Sequence, residues 1–301
     1  MSGLLLSEVR PGLPGQIGGI RLLKFTSDCR RFLFADLEMG LTLSEAGKAP
    51  LVFDLGTDGM KARAMDRIHD FAFSFDARFA FVAAGLHLRC LDLERGIEVW
   101  RYRPANLLGF LQVSPRAVAV TKNHNVFVCN DSGTMELFRP DGLLLARWRA
   151  SDAPQALSRL HNGDLYAGTD GIGITVWDPE ENRRVYRLRS SVRVFALAAF
   201  PHEDKVVART EFGVSVFDLL NGDTLRTFHV PPGLPYIDVA PNGRSFVLGE
   251  GRGVAHYDID GTKLGVHSVE GERILTALFH PLEGHIVAGT DSGGIARFEA
   301  R

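Results

Sequence analysis

The chain has 301 residues, of which 45% are hydrophobic and 23% are charged, with a formal net charge of −2. Such a balance offers no basic surplus for a nucleic-acid backbone. No apolar run approaches the roughly 18 residues that span a bilayer, and the run from Leu4 to Leu6 is too short for the core of a signal peptide. We therefore expect a cytoplasmic protein whose partners are neither nucleic acid nor membrane.

The cysteines are few and widely spaced: Cys29, Cys90 and Cys129. An odd number without a CxxC pair argues against a disulfide framework and against a structural zinc site. Free thiols in a reducing compartment are the expectation.

An internal repeat dominates the sequence. Short apolar segments end in a large apolar residue, usually followed by an acid, and they recur about every 40 residues, a period typical of β-propellers. The seven pairs are Phe53-Asp54, Leu91-Asp92, Phe138-Arg139, Trp177-Asp178, Phe217-Asp218, Tyr257-Asp258 and Phe298-Glu299.

Each repeat unit predicts four short strands, named a to d in chain order. Strand a is apolar, as in 20–25 and 274–279, and a turn rich in Asp, Asn and Gly follows it. Strand b, a tight b–c turn and an alternating strand c lead to the repeated pair. Strand d starts at a glycine in most units, as at Gly59, Gly96 and Gly142. The prediction is an all-β single domain over residues 1–301, a seven-bladed β-propeller with four-stranded antiparallel blades.

The two ends of the chain complement each other in this scheme. Residues 3–10 look like a strand d with no a, b or c before it, and the last unit, about 273–299, lacks strand d. We predict that the N-terminal strand completes blade 7 and closes the ring, which removes exposed sheet edges.

Over essentially its whole length the chain resembles the WD40-like propeller superfamily. The best matches are 131–138, 291–298 and the Trp177-Asp178 dipeptide. Only one true Trp-Asp pair occurs and no Gly-His pair precedes a strand a, so the resemblance is to degenerate WD-repeat or YVTN-like propellers. Proteins of this superfamily are mostly interaction scaffolds, and the resemblance implies a non-enzymatic scaffold here, although some of these propellers are enzymes.

Motifs for catalysis or for metal and cofactor binding are absent from the sequence. The ten histidines form no HxH, HExxH or His/Cys pair, and no GxSxG, SxxK or phosphate-binding loop occurs. Asp70 and Asp238 lie within strand a and could face the channel, but two acids on blades 2 and 6 support no mechanism. We therefore predict no enzyme activity, no metal and no cofactor.

Arginines occur at one equivalent position just before strand a: Arg67, Arg193 and Arg273. Because strand a lines the channel of a propeller, we expect them at the channel mouth, where convergent arginines bind a carboxylate, a phosphate or an acidic peptide. The alternative is that they are exposed charges paired with nearby acids, which contribute little.

Two apolar insertions interrupt the repeat, at 37–49 within blade 1 and at 104–115 between blades 2 and 3. As b–c and d–a connections they decorate the same face, and exposed apolar patches mark partner sites. The predicted contact residues are Leu41, Leu43, Leu107, Leu108, Phe110 and Leu111. The alternative is that the insertions fold back and bury these side chains.

The preferred hypothesis is a monomeric, non-catalytic scaffold that binds another protein through the b–c/d–a face. One alternative is an enzyme or small anionic-ligand binder at the channel mouth, such as a lactonase-like hydrolase. Another is a structural subunit of a homo-oligomer.

Overall fold

The computed structural model describes residues 18–37, 40–45, 47–53, 55, 67–104, 113–149, 156–169, 173–189 and 193–300. These residues form 27 strands in seven antiparallel sheets and contain no helix. Since they hold no helix, no helical membrane span occurs among them. The predicted all-β, seven-bladed propeller is confirmed.

Blades 1 to 4 follow the chain order, and within each sheet every strand pairs with the next. Blade 1 contains β1 (Ile20–Phe25), β2 (Arg31–Asp36), β3 (Leu41–Glu45) and β4 (Leu51–Phe53). Blade 2 contains β5 (Ile68–Phe73), β6 (Phe79–Ala84), β7 (His87–Asp92) and β8 (Ile97–Tyr102). Blade 3 contains β9 (Pro115–Val120), β10 (Val126–Asn130), β11 (Thr134–Phe138) and β12 (Leu144–Arg149). Blade 4 contains β13 (Ala156–Arg159), β14 (Tyr166–Thr169), β15 (Gly173–Asp178) and β16 (Arg183–Arg189).

Blades 5 to 7 continue the same meander. Blade 5 contains β17 (Val194–Ala199), β18 (Lys205–Thr210), β19 (Gly213–Asp218) and β20 (Thr224–Phe228). Blade 6 contains β21 (Ile237–Val239), β22 (Ser245–Glu250), β23 (Gly253–Asp258) and β24 (Lys263–His267). Blade 7 contains β25 (Ile274–Phe279), β26 (Ile286–Thr290) and β27 (Ile295–Phe298).

The middle strands of each blade are buried on both faces, because a neighbouring sheet packs against each side. Strand β6 shows this, with five of its six residues buried in the sequence FAFVAA. The outermost strand β8 alternates between exposed and half-buried positions, since only one of its faces meets a neighbour. This difference explains why strand b reads as an apolar run and strand d as an alternating one.

One apolar cluster fills each of the seven junctions between successive blades. The junction between blades 7 and 1 contains Ile20, Leu23, Phe34 and Val287. Blade 7 therefore packs directly onto blade 1, and the ring of seven sheets is continuous.

Blade 1 departs from the prediction. Phe53-Asp54 was expected to end strand c, but Phe53 ends β4, the fourth strand. Arg31 pairs with Glu45 as Phe79 pairs with Asp92 in blade 2, so Ser44-Glu45 occupies the repeat position. The c–d turn contains Gly47 at a φ of 76°, a backbone conformation that favours glycine. The strand d predicted to start at Gly59 lies outside the described residues.

Blade 7 shows three strands among the described residues. The segment 3–10, which we expect to supply the fourth strand beside β27, lies outside them. Closure of blade 7 by the N-terminal strand, and with it the single-domain extent over residues 1–301, therefore stays a prediction.

Candidate functional site

The first strand of each blade, strand a, is the innermost, and successive a strands surround the channel of the propeller. In five blades the pairing between strands a and b shifts register at the second residue of strand a. Such a bulge leaves one residue unpaired and re-aims its side chain. The residues at the five bulges are Arg21, His69, Arg116, Phe195 and Leu275.

Three neighbouring blades carry basic side chains at or beside these bulges. We name Arg21, Arg67, His69 and Arg116 the basic cluster. Nη1 of Arg116 lies 3.2 Å from Nδ1 and 3.3 Å from Nε2 of His69. Near-equal distances to both ring nitrogens place the guanidinium over the imidazole ring rather than along one lone pair. Blades 2 and 3 are thus joined at the channel mouth by two basic groups.

The electrostatics of the cluster are those of crowded positive charges. Burial, followed by the charges of Arg116, Arg21 and Arg67, lowers the pKa of His69 to about 4. Burial and the neighbouring Arg67 also lower the pKa of the Arg21 guanidinium. His69 is therefore neutral at pH 7, while the three arginines remain charged.

Counter-charges are scarce around this cluster. Nη2 of Arg116 lies 3.3 Å from a carboxylate oxygen of Asp131. Within the described part of the chain, no carboxylate pairs with Arg21 or Arg67. Because like charges held together without counter-ions cost free energy, a site of this kind stabilises a bound anion.

The sequence placed Arg67, Arg193 and Arg273 at one position, and the backbone agrees. Their carbonyl groups accept hydrogen bonds from Gly85, Glu211 and Asp291, respectively, at the b–c turns of their own blades. All three side chains are exposed. They stand on blades 2, 5 and 7, and in the described residues no contact joins their guanidinium groups. Arg67 alone belongs to the basic cluster.

The predicted apolar contact residues divide into two groups. Leu41 and Leu43 lie in β3, 0% and 6% exposed, inside the cluster between blades 1 and 2. Their prediction as exposed partner contacts is wrong, because the supposed insertion folds back as strand c of blade 1. The other four residues lie outside the described ranges: Leu107, Leu108, Phe110 and Leu111.

Asp70 and Asp238 connect neighbouring blades. The amide of Val118 in blade 3 donates to Oδ2 of Asp70 at 3.0 Å, and Nζ of Lys24 in blade 1 lies 2.5 Å from Oδ1 of Asp70. The amide of Phe279 in blade 7 donates to Oδ2 of Asp238 at 2.8 Å. Their carboxylate oxygens are engaged in holding strands a together, which is a structural role.

A third such link joins blades 4 and 5. The amide of Ala199 donates to Oγ of Ser158 at 2.9 Å. Strand a is an edge strand whose amides would otherwise be unpaired, and these side chains satisfy one amide at each of the three junctions, between blades 2 and 3, 4 and 5, and 6 and 7.

One group of possible metal ligands lies at the a–b turn of blade 7. Donor atoms of His280, Glu283 and His285 all lie within 4.8 Å of one another. The amides of Leu282 and Glu283 donate to Nδ1 of His280 at 3.3 and 3.1 Å, so the lone pair of that nitrogen is already used. Arg297 contacts Glu283 at 3.4 Å. Existing contacts account for this group, and we assign no metal to it.

Blade 5 presents two aromatic side chains on the b–c/d–a face. Phe212 in the b–c turn is 63% exposed, and Phe195 at the bulge is 44% exposed. His229 contacts the carbonyl of Phe212 through Nδ1 at 2.8 Å, which fixes the turn. Gly213 follows in the same turn, and a Cβ there would lie 2.2 Å from the carbonyl oxygen of Phe228. The turn that carries Phe212 is therefore closely packed against the end of strand d.

The three cysteines are unpaired, as expected. Burial, with a smaller contribution from Asp92, raises the pKa of the Cys90 thiol to about 12. Burial also raises the pKa of Cys129. Since the thiolate is the reactive form, these two cysteines are inert packing residues.

No protein-family model matches the chain, and no curated protein is detectably similar to it. The functional inference therefore rests on the geometry of the described residues. Sequence reasoning missed His69 and Arg116 as site residues because the bulge that re-aims them has no signature of its own. An alignment of strands a by their a–b turns would have brought Arg21, His69 and Arg116 to one position.

Proposed function

We propose that this chain is a non-catalytic binding platform that receives an acidic segment of a protein partner on its b–c/d–a face. The observation that carries the proposal is the basic cluster, in which Arg21 and Arg67 lack carboxylate partners among the described residues. Charged surfaces of one sign attract partners of the other sign and orient them during encounter.

The exposed aromatic residues of blade 5 support a protein as the partner. Phe195 and Phe212 lie on the same face as the basic cluster, and aromatic and arginine side chains are enriched at the centres of protein interfaces. Both are presented by turns and strands rather than by long loops, so little ordering entropy opposes binding.

The finer relationship to WD40-like propellers belongs to this proposal. Its support is the blade architecture together with Trp177-Asp178, which ends strand c of blade 4 as in such repeats. A cytoplasmic location is likewise proposed, and the three unpaired cysteines favour a reducing compartment.

Binding of a small anion at the channel mouth is the second candidate. It is favoured by the bulges, which bring Arg21, His69 and Arg116 to equivalent positions near the start of strand a, the strand that lines the channel. A hydrolase gains less support, because Asp70 and Asp238 use their carboxylate oxygens on backbone amides.

Affinity capture from the native host, with quantitative mass spectrometry, tests the platform. We expect the double variant Phe195→Ser with Phe212→Ser to lose a partner that the wild type retains, and the retained complex to weaken as salt rises. Leu220→Ser is the matched control, since Leu220 is 77% exposed in the c–d turn of the same blade, on the opposite face. Equal recovery of every protein by all three chains would contradict the proposal.

A further inference from the structure

We propose that the basic cluster is a binding site for a dianionic oxyanion, the phosphate group of a phosphate monoester. This inference rests on the proposed function, because it names the acidic group that the b–c/d–a face receives. The site consists of Arg21 in β1, Arg67 and His69 in blade 2, and Arg116 in β9.

The net charge of the cluster selects a dianion. Among the described residues, the three guanidinium groups have one paired carboxylate, that of Asp131, which contacts Arg116. His69 adds no charge at pH 7, since its pKa is lowered to about 4. The cluster therefore keeps a net charge of two positive units. This charge matches that of a phosphate monoester, about −1.5 to −2, and is larger than the single negative charge of a carboxylate.

The other charged groups near the cluster do not change this balance. Lys24 and Asp70 lie next to it on β1 and β5, and they neutralise each other in an ion pair. A phosphate offers three strong acceptor oxygens, and guanidinium groups recognise such oxygens through paired hydrogen bonds. The donors come from three neighbouring blades, so a bound phosphate is contacted by side chains from more than one sheet.

Crowding of the donors contributes to the affinity. Arg21 is half-buried, and both its burial and Arg67 disfavour its charge in the free protein. A bound anion offsets the repulsion between these arginines. Binding therefore relieves an unfavourable interaction that is present in the free protein. Loss of one arginine should accordingly weaken phosphate binding while leaving the fold as stable as before, or more so.

The rest of the mouth fits the organic part of a monoester. The bulge of blade 5 places Phe195 across the mouth from the basic cluster, and the bulge of blade 7 places Leu275 beside blade 1, against Gly19. A ligand with a phosphate head and an apolar body thus finds both kinds of surface around one opening. A phosphorylated side chain of a partner and a free small organic phosphate share this chemistry.

Isothermal titration at about pH 8, where a phosphate monoester is a dianion, tests the inference with the full chain. Inorganic phosphate is compared with acetate at matched ionic strength. We expect phosphate to bind more tightly than acetate, and Arg21→Gln and Arg116→Gln to weaken phosphate binding by about tenfold or more. Arg244→Gln is the control, since Arg244 is an exposed arginine on the a–b turn of blade 6, on the opposite face. Melting temperatures of the variants equal to or above that of the wild type show that the fold is intact.

Two further probes distinguish the sources of the phosphate. A phosphoserine peptide that binds at least about tenfold more tightly than phenyl phosphate supports a phosphorylated partner, and comparable affinities support a free small phosphate. The inference is overturned if phosphate binds no better than acetate, or if Arg21→Gln and Arg116→Gln bind it as the wild type does. If phosphate binding fails this test but the Phe195→Ser/Phe212→Ser variant still loses its partner, the platform proposal stands without the phosphate site. If phosphate binds as expected but that variant retains every partner, the platform proposal alone is contradicted.

Discussion

The two sides of the channel mouth share a backbone and differ in chemistry. On blades 1 to 3 the bulge residues are Arg21, His69 and Arg116, whereas on blades 5 and 7 they are Phe195 and Leu275. The same register shift therefore presents bases on one side and apolar groups on the other. The backbone repeat sets where a side chain is presented, and the residue at the bulge sets what it binds.

A similar contrast separates the carboxylates that join neighbouring blades. Asp70, on the basic side, has the ammonium group of Lys24 as its counter-charge. Asp238, on the apolar side, accepts hydrogen bonds from amides only, and burial raises its pKa to about 7. The carboxylate of Asp70 thus joins blade 1 by an ion pair and blade 3 by a hydrogen bond, whereas that of Asp238 is held without a counter-charge among the described residues.

Replacing Asp70 should give the largest effect on stability. Asp70→Ala leaves the amide of Val118 without its acceptor and Lys24 without its counter-charge. We expect the free energy of unfolding in urea to fall by about 2–3 kcal/mol, a value kept low because Lys24 is exposed enough to regain water. Ser158→Ala, which removes only a neutral acceptor, should cost about 1 kcal/mol. Equal losses in the two variants would show that the ion pair adds nothing.

Asp238→Asn should change how stability depends on pH. A raised pKa in the folded state means that folding favours the protonated carboxyl. The contribution of the protonated Asp238 carboxyl to folding stability is fully present below about pH 4, near the ordinary pKa of an aspartate. It is lost as the pH rises through about 7, the pKa in the folded state. Asparagine keeps an oxygen for the Phe279 amide and has no proton to lose.

We therefore expect the variant to gain stability relative to the wild type as pH rises from 4 to 7, measured by urea unfolding at each pH. Asp70→Asn is the matched comparison and should lose stability, because Lys24 loses its counter-charge. A difference between Asp238→Asn and the wild type that stays constant with pH would mean that Asp238 does not titrate in this range.

The smallest expected effect comes from making the two sides of the mouth alike. Phe195→Arg adds a fourth guanidinium to the three of the basic cluster, at a bulge across the opening from them. We expect phosphate to bind a few-fold more tightly at low salt, and the gain to vanish as screening rises. Leu220→Arg, on the opposite face of blade 5, is the control. An identical response in both variants would show that overall charge, not position, sets the affinity.

The repeat was readable from the sequence because six of its units keep a large apolar residue at the end of strand c. Blade 1 was misread since Ser44 and Glu45 hold that position, while Phe53 lies nearby at a plausible spacing. Small polar residues at the end of a strand carry no apolar signal. That error made β3 look like a loop, and with it Leu41 and Leu43 look exposed.

The candidate site was less predictable than the fold. The equivalence of Arg67, Arg193 and Arg273 was correct in backbone terms, yet their side chains do not meet within the described residues. What assembles the cluster is the bulge, which depends on the pairing of two strands rather than on local sequence. The sequence also left open that Asp70 and Asp238 face the channel, because a hydrogen bond to the amide of a neighbouring blade depends on how the blades pack and leaves no local signal.

The links between strands a recur at every second junction, from blade 2 to 3, from 4 to 5 and from 6 to 7. An alternation with a period of two cannot continue around a ring of seven, so one blade falls outside it. Among the described residues the propeller is thus three tandem pairs joined by amide-to-side-chain hydrogen bonds, and a seventh blade. That seventh blade is blade 1, which is joined to blade 2 through a charged side chain instead, by the ion pair of Lys24 with Asp70.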